Sequence, residues 1–121
     1  MKDKVVIIGG AGFLGSHLAD ALTTEGYKVC IYDVRHSPWL RGGQEMIVGD
    51  IMDEEAVNRT LQDARYVYHL AGIADIHQSM LSPKETLNQN IIGSAIVFDA
   101  AVRAGVERLM YASTIYVYSQ R

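Results

Sequence analysis

Only one cysteine occurs among the 121 residues, so no disulfide can close within the chain. Cys30 stands in the apolar run Lys28-Val29-Cys30-Ile31-Tyr32, which predicts an inert, buried strand thiol and suits a reducing cytoplasm. Long hydrophobic runs are also lacking: none approaches the roughly 18 to 20 residues that cross a bilayer, and no charged start leads into a signal-like core. A soluble, unprocessed, cytoplasmic chain is expected, with no membrane partner. Basic clusters are absent too. The 11 Lys and Arg residues are interspersed among 14 Asp and Glu, for a net charge of −3, and offer no electrostatic footprint for nucleic acid. No pair of acids and no His/Cys group has metal-ligand spacing, so no metal site is expected. There is no repeat, low-complexity tract or linker, which leaves residues 1–121 as one domain.

What is present is ordinary globular material, 49% apolar and 21% charged. Lys4 to Ile8 is a β-branched run ending in glycines, as a strand covered on both faces reads. From Phe13 to Glu25 apolar residues fall at helical spacing, and Gly26 stands where a left-handed residue would end the helix. Strands follow at Lys28 to Tyr32 and Glu45 to Val48, separated by a polar loop with Pro38 and Gly42-Gly43 in which Trp39-Leu40 reads as an anchor or contact patch. Asp53-Glu54-Glu55 then opens a helix to about Leu61, its acids at the positive end. Tyr66 to Leu70 predicts a fourth strand. Ser82-Pro83-Lys84-Glu85 predicts a helix start by a capping box and by proline at the first position; Leu87, Ile91, Ala95, Phe98 and Val102 run down one side of it until Gly105. Glu107 to Ala112 predicts a fifth strand. The alternation argues for an α/β fold with one doubly wound parallel sheet of about five strands.

The chemistry concentrates in Gly9-Gly10-Ala11-Gly12-Phe13-Leu14-Gly15, between the first strand and the first helix. It reads as G-x-G-x-x-G from Gly10 or as G-x-x-G-x-x-G from Gly9. A dinucleotide pyrophosphate needs backbone N–H groups aimed at it with no Cβ in the way, and glycines at a helix N-terminus supply both; a tight strand-to-helix turn is the bland alternative. Asp33 follows the second strand about 20 residues after the glycines, where a carboxylate accepts from both hydroxyls of an adenosine ribose. The same charge opposes a 2′-phosphate, by roughly 4 kcal/mol at about 4 Å and an effective dielectric of 20, so NAD is favoured over NADP. Arg35 could offset part of that repulsion, or be a solvated loop arginine.

These residues resemble the extended short-chain dehydrogenase/reductase family, the NAD-dependent epimerase/dehydratases of nucleotide sugars, over nearly the whole chain. Gly9, Gly12 and Gly15 match its glycine signature, with Ile8 in place of the usual preceding threonine, and Asp33 matches its ribose acid. Gly49-Asp50-Ile51 with Asp53 is similar to its adenine-side segment, and His69-Leu70-Ala71-Gly72 to its strand-four motif lining the cofactor. Asn90 resembles its central helix asparagine. Tyr111-Ala112-Ser113-Thr114 resembles the strand-five segment whose hydroxyl belongs to the active site, Thr114 being the better match and Ser113 its neighbour. The resemblance implies NAD as cofactor, held by Gly9, Gly12, Phe13, Leu14, Gly15, Asp33, Asp50, Ile51, Leu70, Ala71, Gly72 and Asn90, with a nucleotide-sugar as partner of a full-length form. Bland readings stand beside these: Asp50 as the start of an Asx turn, His69 as a packed strand residue, Asn90 as a helix polar group bonded to nearby backbone. His17 and His77 receive no role.

The family's Tyr-x-x-x-Lys pair, in which a lysine four residues on lowers the tyrosine pKa so that the phenolate acts as a base, has no counterpart among Tyr66, Tyr68, Tyr111, Tyr116 and Tyr118. The chain is therefore expected to be the truncated N-terminal part of such an enzyme, without its substrate domain, binding NAD without turnover. The competing expectation is a stand-alone nucleotide-binding or oligomerisation module. Either leaves a strand edge and one face of the Leu87 to Val102 helix open, which predicts a homodimer or a domain-swapped oligomer.

Overall fold

A computed structural model describes residues 3–72 and 80–113. Within them β1 (Lys4–Ile8), β2 (Lys28–Asp33), β3 (Gln44–Val48), β4 (Ala64–His69) and β5 (Arg108–Tyr111) form one parallel sheet in the order β3-β2-β1-β4-β5. The helices are α1 (Phe13–Thr24), α2 (Glu54–Leu61), α3 (Pro83–Leu87) and α4 (Gly93–Ala104), with a single π-helical turn, Asn88–Ile92, between the last two. The expected doubly wound sheet is what forms, with β3 and β5 at its edges.

The continuous apolar reading of β1 has a simple cause: both faces of the strand are covered, and Val5, Val6, Ile7 and Ile8 are fully buried. Val6, Ile8, Cys30, Tyr32 and Val67 point to one face, against Val57 and Leu61 of α2 and Val97, Ala100 and Ala101 of α4. Ile7, Val29 and Ile31 point to the other, against Ala19 of α1 with Leu18 and Leu22 around it. Cys30 lies inside the first cluster, and burial, aided by the Glu45 charge, pushes its thiol up to about 11. Winding runs from β1 outward to β3, then crosses to the opposite side of β1 for β4 and β5. The carboxyl ends of β1 and β4 therefore flank a topological switch point, where open α/β sheets form a crevice.

Helix boundaries follow local chemistry at most ends. Asp53 caps α2, its carboxylate accepting the Ala56 N–H at 3.1 Å, and Gly26 and Gly105 take the positive φ values of 93° and 69° expected after α1 and α4. The region after Ser82 departs from expectation. The predicted uninterrupted helix is broken by the π turn, and the predicted capping box does not form: the Ser82 side chain makes no cap hydrogen bond, and its carbonyl instead accepts from the Thr86 hydroxyl at 2.9 Å. Pro83 does occupy the helix start. The apolar stripe Leu87, Ile91, Phe98 and Val102 is exposed, while Gly93, Ser94, Val97, Ala100 and Ala101 face the sheet. Small residues take the inner face because the helix lies close; a Cβ on Gly93 would sit 2.9 Å from Ile51 Cγ2.

Candidate functional site

Four strand ends meet over one open cavity of about 470 Å³, at the carboxyl edge of the sheet. The glycine loop leaving β1 forms its floor, and each glycine has a distinct physical reason. Gly9 has φ of +87°, and a Cβ there would lie 2.7 Å from the Ala71 nitrogen, so the turn and the strand-four loop touch backbone to backbone. A Cβ on Gly15 would stand 2.5 Å from Gly10 Cα, which is the close helix-to-strand contact. Gly12 is different: among the described residues a Cβ there would meet only the Gly9 carbonyl, at 3.9 Å. Among the described residues no atom demands a glycine at that position, which caps the N-terminus of α1. The vacancy lies where a ligand's anionic group would approach the unpaired first-turn N–H groups of a helix, and the helix dipole favours negative charge there.

Asp33 ends β2 beside this loop. One carboxylate oxygen accepts the Ala11 N–H at 3.0 Å and the other the Arg35 N–H at 3.3 Å, so the side chain is aimed by backbone and tied to the glycine loop. Each oxygen retains acceptor capacity for a ligand hydroxyl. On the next strand end, Asp50 accepts the Met52 N–H at 2.9 Å, the Asx turn weighed as its bland reading, while still lining the cavity. Tyr32 reaches across to fix that turn, its hydroxyl donating to the Asp50 carbonyl at 2.6 Å. Burial first, then the Asp53 and Asp50 charges, push the phenol up to about 12, so it remains a donor.

The far wall is Leu70, Ala71 and Gly72, leaving β4. Gly72 has φ of +154°, and a Cβ on it would lie 2.8 Å from Asn90 Oδ1, so the asparagine stands directly behind the cavity wall rather than in it. His69 is fully buried and bonded through Nε2 to Ser94 Oγ at 2.8 Å, packed as its bland reading had it.

Of the residues singled out in the sequence, Gly9, Gly12, Asp33, Asp50, Ile51, Leu70, Ala71 and Gly72 come together at the cavity. Phe13 and Leu14 lie on the exposed first turn of α1, Gly15 is in the strand contact behind, and Asn90 is one layer back. Phe13 stacks edge-on with His17 at 4.6 Å. Ser113 is exposed just past β5, where the Ala112 N–H still pairs with the His69 carbonyl; Thr114, Tyr116, Tyr118 and His77 lie outside the described residues. Val34 lines the cavity as well, and so do Glu85, expected only as part of a capping box, and Gln89 from the helical segment after Ser82. For Glu85 and Gln89 the i, i+4 spacing, which puts two polar groups on one helix face, was the available signal.

The carboxylate, the vacancy at Gly12 and the first turn of α1 form a donor and acceptor set that fits an adenosine ribose joined to a pyrophosphate. Comparison with known proteins gives the same direction. The sequence model of the "NAD dependent epimerase/dehydratase family" matches residues 5–121. A UDP-glucose 4-epimerase of Rhizobium meliloti (strain 1021) is 29% identical over 97% of this chain and 37% of its own length. A UDP-N-acetyl-alpha-D-glucosaminuronate decarboxylase of Bacillus cytotoxicus is 32% identical over 99% of this chain and 39% of its own. Among solved structures, MoeE5 in complex with UDP-glucuronic acid and NAD superposes with a TM-score of 0.90 at 33% identity, over 98% of this chain and 39% of that one. The chain thus spans less than two-fifths of the length of these relatives.

Proposed function

The chain belongs to the NAD dependent epimerase/dehydratase family, and from that premise we propose that it is the NAD-binding domain of an enzyme acting on nucleotide sugars. The observation that carries the reading is the pairing of a vacant Cβ position at Gly12 with the backbone-aimed carboxylate of Asp33 in one cavity. Asp33 accepts from the ribose hydroxyls of the adenosine half, and its charge disfavours a 2′-phosphate. Gly12 lets the pyrophosphate reach the N-terminus of α1. Asp50 and Ile51 hold the adenine side, and Leu70, Ala71 and Gly72 line the path toward the nicotinamide. NAD, when bound, supplies a hydride acceptor. By resemblance to the family pattern we assign the Thr114 hydroxyl, with Ser113 its neighbour, to a substrate oxygen. No Tyr-x-x-x-Lys pair occurs among these 121 residues, so we assign them binding without turnover on their own. The reduced, buried thiol suits a cytoplasmic setting.

Calorimetric titration of NAD, ADP-ribose and NADP into the protein and an Asp33→Ala variant tests this. NAD and ADP-ribose should bind, with NADP poorer, and the variant should weaken NAD about tenfold or more while raising the NADP-to-NAD affinity ratio. Absence of binding by all three would overturn the reading and make the glycine loop a scaffold of an assembly module.

A further inference from the structure

His69 and Ser94 carry no role in the reading above, yet they join two parts of the cavity wall. His69 closes β4, fully buried, with its ring centroid 6.0 Å from that of Phe98 and 5.4 Å from that of Tyr111. Its Nε2 lies 2.8 Å from Ser94 Oγ, and that hydroxyl donates to the Asn90 carbonyl at 2.7 Å. A hydroxyl has one proton, so with it directed at Asn90 the imidazole must be the donor. The ring is therefore the neutral Nε2–H tautomer, and its buried Nδ1 has no hydrogen-bond partner among the described residues. Burial lowers the histidine pKa to about 4, which keeps that neutral form across physiological pH.

The receiving carbonyl is at the centre of the π turn, a widened helical turn of a kind frequent at functional sites. Asn90 Oδ1 stands against Gly72, which lines the cavity three residues beyond His69. The end of β4 and the π turn thus meet twice, once through the His69–Ser94 hydrogen bond and once by the close approach of Asn90 to Gly72.

We infer that His69, acting through Ser94, is a positioning residue: the hydrogen-bond chain fixes Asn90 in the π turn against Gly72 and so sets the strand-four wall of the dinucleotide cavity. This rests on the NAD-binding reading. The wall lies across β1 from Asp33 and Asp50, which grip the adenosine half. Loss of the chain should therefore weaken a whole dinucleotide and spare a ligand confined to the adenosine half.

Ser94→Thr and Ser94→Val have the same shape and differ by the hydroxyl alone. NAD and AMP are titrated into wild type and both variants, and the His69 tautomer is read by nitrogen-15 resonance of its ring. In wild type and Ser94→Thr the ring should be Nε2-protonated, with matching NAD affinities. In Ser94→Val the ring signal should shift and NAD should bind about five- to tenfold more weakly, the worth of one hydrogen bond, with AMP unchanged. Full NAD affinity in Ser94→Val, or equal losses for NAD and AMP, would overturn the positioning role. A wild-type protein that binds neither nucleotide would overturn the NAD reading instead, a different result, and the ring signal would then still decide whether His69 donates to Ser94.

Discussion

One substitution, glycine to alanine, should have opposite consequences at two positions three residues apart. At Gly12 the added methyl meets, among the described residues, no atom within 4 Å except the Gly9 carbonyl, at 3.9 Å, and the backbone φ of −82° suits any residue. Alanine is a poorer N-cap than glycine by several tenths of a kcal/mol, while restricting the unfolded chain returns about 0.4 to 1 kcal/mol. The terms nearly cancel, so stability should stay within about 0.5 kcal/mol of wild type. At Gly15 the methyl would stand 2.5 Å from Gly10 Cα and 2.7 Å from the Gly9 carbonyl, both backbone atoms that no rotamer change can move. Overpacking of that kind costs about 1 to 3 kcal/mol or more, which at roughly 4 °C per kcal/mol for a domain this size lowers Tm by about 4 to 12 °C. Ligand binding should rank the other way: Gly12→Ala should lose at least about tenfold in NAD affinity, since the methyl fills the approach to the helix N-terminus. Thermal unfolding followed by circular dichroism and NAD titration at a temperature where both variants are folded measure the two effects. A Gly12→Ala protein that binds NAD as wild type does, or a Gly15→Ala protein that melts with it, would refute the assignment of roles.

Two further outcomes are expected. His69 holds protons less well in the folded protein, with a pKa lowered to about 4, than in the unfolded chain, with one near 6.5. The unfolded state therefore binds more protons between those values, and the histidine's contribution, full above about pH 6.5, declines as pH falls toward 4. Urea midpoints measured from about pH 7 to pH 4.5 should fall more steeply for wild type than for His69→Leu, and parallel curves would count against the buried neutral ring. We also propose that the exposed stripe Leu87, Ile91, Phe98 and Val102 meets a second copy of the chain. Light scattering should then give a dimer that Val102→Glu converts to monomer without loss of thermal stability; a monomeric wild type at high concentration would remove this idea.

The glycines, Asp33 and the strands were legible in the sequence because each answers a demand that few residue types meet. Only glycine tolerates the Gly9 and Gly15 contacts, and only a run apolar on both faces makes a strand like β1. The π turn was not legible: a helical turn widened by one residue leaves no periodic trace over five positions, and neither reading of Asn90, as the family's helix asparagine or as a polar group bonded to nearby backbone, implies one. The orientation of α4 was hidden for a related reason. The large apolar residues suggested one important face, but the side turned into the core is the one with Gly93, close to Ile51 of the loop after β3, and the alanines Ala100 and Ala101. The His69–Ser94 bond spans 25 residues and joins elements whose juxtaposition only the fold supplies. At Ser82 the pattern of a capping box was present, but its backbone, at φ −139° and ψ 68°, does not place the hydroxyl over the first turn.

The cavity draws its walls from segments that follow four separate strands, with β1 at the centre and its two neighbours arriving from 24 and from 60 to 61 positions away. These segments come together only as the strands pair, so a dinucleotide meets its full site only once the sheet has assembled. Its affinity then belongs to the native state alone, and a hundredfold excess of ligand over Kd adds about 2.7 kcal/mol to the unfolding free energy by mass action. Under the proposed NAD-binding reading, nucleotide supply becomes a determinant of how often this protein unfolds.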